Sequence, residues 1–404
     1  MSQDGRRRNL VWGVTWLAYA TYYLGRKGFS SSKAELENAG LLSIAAMGVI
    51  DSLYLAAYSL GQFANGTLGD RIGARRLVGY GLLATGALCA VFGSVSSAVL
   101  FAVLWGLNGL AQASGWPGTT RAMAEWTTPA NRGTVMGFWS TCYQVGPFLA
   151  GPLLGVLIAR FGWRAAFHVP AIILLLVALL VLLLVTRGPR PLPSATSQEE
   201  DEPELVRQAQ RAVVRNPLLW CYGMSYFFIK FTRYALQLWL PFYLQKQVGY
   251  AVDVANTVAS AFEGGGFLGV IAIGTLSDRL GRVALSALSL VGLSLALLGA
   301  TLFVGHTTWV NVIILALIGA CLFAPDSILC GAAAQDAGGA HAVSMATGFV
   351  NGVGSIGALL VGLTLPAFAK SHGWHTLWPL LVGTGLLAAL CLLPVLWLSR
   401  PAAT

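Results

Sequence analysis

The sequence predicts an all-α polytopic membrane protein, in which twelve transmembrane helices form two pseudo-symmetric six-helix bundles. Of its 404 residues, 56% are hydrophobic and only 10% are charged, and the mean hydropathy is +0.69. A soluble domain carries about 25% charged residues, whereas apolar runs of about 20 residues are long enough to cross a bilayer as helices. Runs of that length also exclude a transmembrane barrel, whose short strands alternate apolar and polar residues.

Twelve apolar runs between charge clusters are the predicted spans. Spans 1 to 6 lie near residues 10–34, 43–68, 77–95, 98–122, 134–159 and 165–186. Spans 7 to 12 lie near residues 216–245, 253–275, 283–303, 308–332, 341–366 and 375–398. The chain then divides into an N-terminal bundle (1–186), a cytoplasmic linker (187–215) rich in proline and charge, and a C-terminal bundle (216–404). The linker is interpreted as a solvated tether without chemistry of its own.

The formal charge of +9 could suggest a nucleic-acid partner, but the cations gather at one end of the spans. They include Arg6, Arg7, Arg8, Arg71, Arg75, Arg76 and those of segment 187–215. The positive-inside rule makes that face cytoplasmic, with both termini on it, in the cell (inner) membrane. The distribution therefore predicts the lipid bilayer as partner and no nucleic acid.

No motif for catalysis or for a cofactor stands out. The sequence has no Walker loop, nucleophile elbow or paired catalytic carboxylates, which disfavours an enzyme and the use of ATP. The six cysteines lie in apolar runs without a CxxC spacing, and the histidines show no metal-ligand spacing. The cysteines are predicted to be small packing residues, and neither a metal nor a cofactor is expected.

An internal repeat organises the chain. After span 2 the sequence reads GTLGDRIG at 66–73, and after span 8 it reads GTLSDRLG at 274–281. Parallel six-span repeats of this kind place a substrate near the bilayer midplane between two halves that rock. The charged residues of the two strings are expected to latch helix ends in one conformation and so to act in gating: Asp70, Arg71, Asp278 and Arg279.

Four cations lie more than one helical turn inside the ends of predicted spans, namely Arg26 and Lys27 in span 1 and Lys230 and Arg233 in span 7. A charge at the centre of a span costs roughly 2.5–3.5 kcal/mol, so such residues are usually functional. Guanidinium groups donate paired hydrogen bonds to tetrahedral oxyanions and stay charged, which suits a phosphate. A carboxylate would fit nearly as well. Arg26 is expected to face a central cavity, with Lys27 held by an acid at its edge.

Further polar residues could complete a substrate site. On a helix, residues three or four apart share a face, which places Tyr22 or Tyr23 beside Arg26, and Lys230, Arg233 and Gln237 on one face of span 7. Other candidates are Gln62 in span 2, Tyr143 in span 5 and Asn351 in span 11, although hydrogen bonds between helices are an alternative role. Glu263 in span 8 is expected to balance Lys27 or Lys230, or else to couple protons. Asp51 and Asp326 are acids without an assigned partner.

The repeated strings are similar to GxLxDRxGRR, the signature of the major facilitator superfamily, and the resemblance covers the whole chain. The segment YYLGRKGFS at 22–30 resembles the first span of the organophosphate:phosphate antiporters, as do GWPG at 115–118 and FEGGG at 262–266. The resemblance implies that Arg26 and Arg233 hold a phosphoryl group.

Three positions depart from the glycerol-phosphate members of that family. This chain has Tyr143, Gln62 and Leu238 where they have a histidine, a lysine and an acid. These departures leave the transfer of any named family substrate unsupported. The resemblance, together with the intramembrane arginines, nevertheless implies a secondary active transporter, expected to be monomeric, that exchanges an organic phosphate, of the sugar phosphate or glycerol phosphate type, for inorganic phosphate by alternating access. A carrier for another organic anion or drug, and a transporter-like sugar-phosphate sensor, are the alternatives.

Overall fold

A computed structural model describes residues 3–127, 135–136, 138–189, 211–338 and 343–398. Within these ranges the chain is a succession of helices and short turns, and no strand is present. The predicted all-α architecture is confirmed. The middle of the predicted linker, residues 190–210, lies outside the described residues.

Each predicted span corresponds to a helix or to a short series of helices. Spans 1 to 6 comprise Gln3–Asn38, Ile44–Ile72, Ala74–Ser94, the pair Ala98–Gln112 and Gly115–Trp126, then Cys142–Phe161 and Ala165–Leu184. Spans 7 to 9 comprise Pro217–Lys246, Val252–Leu280 and Arg282–Phe303. Span 10 comprises Thr308–Ile328, the π-helical turn Leu329–Ala333 and Ala334–Gly338. Span 11 is Val343–His372, and span 12 comprises the 3₁₀ turn Trp374–Thr376, Leu377–Leu390 and Leu393–Leu398.

Spans 1 and 7 differ in composition from the others. Among the described residues, ten helical stretches are long and apolar enough to cross a membrane, and they correspond to spans 2–6 and 8–12. Spans 1 and 7 have ample length, 36 and 30 residues, but cationic, aromatic and hydroxyl side chains interrupt their apolar runs. The two least apolar spans are therefore the two that carry the four predicted cationic ligands, Arg26, Lys27, Lys230 and Arg233.

The chain forms two compact units. Unit 1 comprises residues 1–197 and 250–260, and unit 2 comprises residues 198–249 and 261–404. In unit 1, buried aromatic rings fill the space between spans 1, 3, 4 and 6. Phe29 lies 5.3 Å from Trp105, and Phe92 lies 4.4 Å from Phe167, between ring centroids. Such ring pairs stabilise packing beyond the area that they bury, so span 1 is firmly seated in its unit.

Glycines let helix backbones touch in both units. In unit 2, a Cβ on Gly319 of span 10 would lie 1.9 Å from the Phe262 carbonyl oxygen of span 8. In unit 1, a Cβ on Gly109 of span 4 would lie 2.4 Å from the Tyr54 carbonyl oxygen of span 2. Close approach through small residues is a main source of helix association in membranes. The two units therefore join corresponding spans by the same device.

The glycine that ends each repeated string has a backbone reason. Gly73 and Gly281 have φ of 82° and 90° and directly precede spans 3 and 9. That left-handed region is readily adopted only by glycine. The charged side chains of the strings, Asp70, Arg71, Asp278 and Arg279, lie outside the described part of the structure, and their gating role stays a prediction.

Candidate functional site: two cation clusters

In unit 1, the half-buried Arg26 of span 1 is held by neutral groups. Its Nε donates a hydrogen bond of 3.1 Å to Gln112 Oε1 of span 4. Its guanidinium carbon lies 4.8 Å from the centre of the Tyr23 ring and 4.9 Å from that of Tyr58. Within the residues that the structure describes, no carboxylate contacts Arg26. A permanently charged group is thus oriented in the membrane domain without a counter-ion from the described chain.

A chain of amides positions that guanidinium. Gln112 is 1% exposed, and its Oε1 also accepts a 3.0 Å hydrogen bond from the Tyr54 hydroxyl. Its Nε2 donates to Asn108 Oδ1 one turn earlier, and Asn108 Nδ2 donates to the Gly25 carbonyl of span 1. Because every link is buried or partly buried, the network fixes the direction of Arg26.

Arg26 and its partners Gln112, Tyr23 and Tyr58 form what we call the Arg26 cluster. Further aromatic side chains flank it. Tyr143 of span 5 stacks on Tyr19 with centroids 6.5 Å apart, and it meets Tyr23 edge to face at 6.0 Å. Trp139 Nε1 donates to the Thr15 hydroxyl, which ties span 5 to span 1. The half-buried Tyr143 therefore belongs to an aromatic wall on the same side of span 1 as Tyr23.

The other predicted residues of unit 1 differ in their burial. Tyr22 is 1% exposed and its hydroxyl lies 2.9 Å from Ser114 Oγ, within the core between spans 1, 3 and 4. Tyr22 packs in this core and Tyr23 lies against the Arg26 guanidinium, and a substrate-binding role for Tyr22 stays a prediction. Lys27 and Gln62 are both half-buried.

In unit 2, Lys230 is anchored to span 11. Its Nζ donates 2.7 Å to Asn351 Oδ1 and 3.1 Å to Ser355 Oγ, and it lies 5.2 Å from the Tyr226 ring centre. Lys230 is 8% exposed, whereas Asn351 is exposed. The predicted residues Lys230 and Asn351 are thus brought together by the fold.

Arg233 contacts span 10 instead. Its Nη1 donates a 2.9 Å hydrogen bond to Asp326 Oδ2, and the two side chains are 4% and 7% exposed. The guanidinium carbon lies 4.6 Å from the Phe323 ring centre. Arg233 is therefore a buried cation with a resident carboxylate, in contrast to Arg26.

Gln237, the third residue expected on the same face of span 7 as Lys230 and Arg233, contacts span 8. Gln237 Nε2 donates a 3.0 Å hydrogen bond to Glu263 Oε1, and Glu263 is fully buried. Amide hydrogen bonding stabilises a buried carboxylate. The balancing of Lys27 or Lys230 by Glu263 stays a prediction.

Taken separately, each unit holds a cluster of residues around intramembrane cationic side chains. The clusters contain long cationic side chains that donate hydrogen bonds, together with hydroxyl groups and aromatic rings. The described residues contain no group of three or more histidine, cysteine or acidic side chains placed to hold a metal ion. The N–H donors of both clusters suit an anionic ligand.

A family model described as the Major Facilitator Superfamily matches residues 15–324 and 224–404. The chain belongs to this superfamily. Membership makes it a multi-pass membrane transporter rather than an enzyme, and it confirms the predicted twelve-span fold.

Three relatives show which part of the superfamily the chain resembles. A protein of Chlamydia pneumoniae described as "Probable hexose phosphate transport protein" is 30% identical over 94% of this chain and 89% of its own length. "Membrane sensor protein UhpC" of Escherichia coli (strain K12) is 28% identical over 98% and 93%. "Sugar phosphate exchanger 3" of Mus musculus is 28% identical over 81% and 75%. These relatives confirm the resemblance to the organophosphate:phosphate antiporter family.

Solved structures of other superfamily members share the fold. A bacterial homolog of the human lysosomal transporter Spinster, in an inward-facing and occupied conformation, aligns with a TM-score of 0.75, 16% identity and full coverage of both chains. The nucleoside transporter NupG aligns with a TM-score of 0.78 and 14% identity over 95% of this chain and 99% of NupG. At these identities the likeness concerns the fold alone.

Sequence reasoning did not place Gln112 or Asp326 in either cluster. Gln112 lies in an otherwise apolar stretch of span 4, and its spacing of one helical turn from Asn108 was the available signal. Asp326 was recognised as an acid without a partner. An acid inside a span needs a cation, yet nothing local indicated that the cation would be Arg233, 93 residues away.

Proposed function

We propose that the chain is a secondary active transporter that exchanges an organic phosphate for inorganic phosphate by alternating access. The names of the relatives support a phosphorylated sugar or glycerol as substrate. We further propose that it works as a monomer in the cell (inner) membrane with both termini in the cytoplasm, as the distribution of arginines predicts.

The environment of Arg26 carries this proposal. A guanidinium that cannot be deprotonated is costly in a membrane unless an anion compensates it. Gln112 and two tyrosine rings orient Arg26 but leave its charge unbalanced. A phosphate dianion would supply both the missing charge and acceptors for paired N–H donors.

Strict exchange is the expected consequence. The conformational change is favoured when bound phosphate cancels the charge of Arg26 and disfavoured when the site is empty. The empty carrier therefore returns slowly, and transport in one direction requires transport in the other. That Arg26 and Arg233 bind the same phosphate stays a prediction.

Counterflow in reconstituted vesicles tests the proposal. Uptake of labelled phosphate is expected to be fast into vesicles loaded with inorganic phosphate and slow into unloaded vesicles. Glycerol phosphate, hexose phosphates and phosphoglycerates, added outside, then identify the organic substrate by competition. Equal uptake by loaded and unloaded vesicles would contradict exchange, and inhibition by carboxylates but not by phosphate would indicate another anion carrier.

A sensor is the second candidate, because a relative covering 98% of this chain is named a membrane sensor. A sensor would bind a sugar phosphate with little flux. Binding of hexose phosphate to the purified chain, combined with no exchange in vesicles that hold correctly folded protein, would favour this function.

A further inference from the structure

We propose that Asp326 is an internal competitor that the phosphate group must displace from Arg233, and that it thereby sets affinity and favours dianionic substrates. This inference rests on the function proposed above. It concerns unit 2 alone, where both residues lie.

The first observation is the pairing itself. Arg233 is 3% exposed and Asp326 is 5% exposed, with Nη1 and Oδ2 at 2.9 Å. A buried guanidinium that already has a carboxylate is electrically balanced. Any anion that binds Arg233 must therefore replace Asp326 or add a negative charge beside it, which like-charge repulsion disfavours.

The second observation is that Asp326 is held incompletely. Oδ2 accepts the hydrogen bond from Arg233, whereas Oδ1 is buried and has no hydrogen-bond partner among the described residues. A buried acceptor without a partner is destabilising. The bidentate arrangement that makes arginine–carboxylate pairs strong is absent from the described geometry, so the pair is suited to exchange its acceptor.

The third observation is the irregularity of span 10 around Asp326. Pro325 lies within the helix directly before it, and the π-helical turn Leu329–Ala333 follows within three residues. Proline removes a backbone hydrogen bond, and π-helical turns often mark functional sites. Span 10 thus departs from regular α-helix on both sides of Asp326, and we expect these irregularities to let the carboxylate withdraw.

The charge of a ligand then determines whether it can displace Asp326 from Arg233. A phosphate monoester dianion carries twice the charge of the aspartate and three acceptor oxygens, so its attraction to Arg233 exceeds that of Asp326. A carboxylate or phosphodiester monoanion offers no such advantage. Asp326 therefore acts as a specificity-determining residue, and its return to Arg233 assists release of the substrate.

Binding of inorganic phosphate to the purified full-length chain tests this inference. Asp326→Asn is expected to bind inorganic phosphate at least about tenfold more tightly than the wild type, because Arg233 loses its resident counter-ion. The maximal exchange rate is expected to fall at the same time, since release slows. A merely structural role would not raise affinity.

The matched control is Asp336→Asn, which removes another ion-paired carboxylate of span 10. Asp336 pairs with Arg282, and their side chains are 67% and 34% exposed. Its phosphate affinity is expected to stay at the wild-type value. The double variant Arg233→Gln with Asp326→Asn is expected to lose the gain in affinity, because the gain requires the guanidinium.

Infrared difference spectra of the wild type, labelled with carbon-13 aspartate, provide a readout that needs no variant to fold. Adding phosphate is expected to shift an aspartate carboxylate band. An absent shift, or folded Asp326→Asn with unchanged or weaker phosphate affinity, would overturn the inference while wild-type exchange still supports the proposed function. A wild type that neither binds nor exchanges phosphate would overturn both.

Discussion

Gln112 of span 4 accepts hydrogen bonds from Arg26 of span 1 and Tyr54 of span 2 through one carboxamide oxygen. The two donor–acceptor distances are 3.1 and 3.0 Å. Because both donors converge on a neutral acceptor, Gln112 orients the guanidinium without cancelling its charge.

Gln112→Glu is expected to weaken phosphate binding at least about tenfold, because the new carboxylate would give Arg26 its own counter-ion at the existing hydrogen-bond distance. Binding of inorganic phosphate by calorimetry measures the effect. Gln245→Glu is the control, since the Gln245 side chain donates to the Pro241 carbonyl of its own helix. Unchanged affinity in Gln112→Glu would refute the role of Gln112.

Arg26→Lys is expected to abolish phosphate exchange, although the positive charge is retained. An ammonium cannot reproduce the planar donor geometry or the double contact with Tyr23 and Tyr58. Counterflow of labelled phosphate measures the loss.

Arg164→Lys is the matched control for that substitution. Arg164 likewise donates one hydrogen bond to a neutral group, Ser96 Oγ at 2.8 Å, and lies 4.4 Å from a ring centre, that of Trp163, but at an exposed position. Exchange by Arg164→Lys should be near that of the wild type. Full activity of Arg26→Lys would mean that charge alone suffices.

The ion pair between Lys33 and Asp51 is expected to stabilise unit 1. The two side chains are 0% and 1% exposed, and the pair joins spans 1 and 2. Removing one partner by Asp51→Asn or Lys33→Met should cost about 3–5 kcal/mol, because the charge of the other residue stays buried after this ion pair is broken. Thermal unfolding in detergent measures the loss.

The double variant Lys33→Met with Asp51→Asn should lose much less stability than the sum of the two single losses. The pair of Arg282 and Asp336 is the comparison, because it is much more exposed. Breaking it by Asp336→Asn should lower the free energy of unfolding by less than about 1 kcal/mol. Additive losses at Lys33 and Asp51 would show that the two residues act independently.

Gly319→Ala is expected to destabilise unit 2 by about 1–3 kcal/mol, since its Cβ would lie 1.9 Å from a backbone oxygen that cannot rotate away. Gly299→Ala in span 9 is the control, because no atom lies within 4 Å of the Cβ position there. Equal melting temperatures for the two variants would contradict the close packing of spans 8 and 10.

The helical spans, the repeat and the four intramembrane cations were predictable because each is a property of a short stretch of chain. About 20 apolar residues satisfy their backbone only as a helix in lipid, whatever the neighbouring spans are. A cation in such a stretch is conspicuous for the same local reason. Spans 1 and 7 could therefore be predicted to carry the cationic ligands without knowledge of how the helices pack.

The partners of those cations were not predictable, because they depend on how helices pack across long separations in the chain. Lys230, Arg233 and Gln237 were predicted to share one face of span 7, yet their side chains contact spans 11, 10 and 8 respectively. Helical periodicity specifies a direction from one axis but not the helix that lies there. Whether a cation meets an amide, as Arg26 does, or a carboxylate, as Arg233 does, follows from the close approach of residues distant in sequence, and that difference separates a site with unbalanced charge from one that is already neutralised.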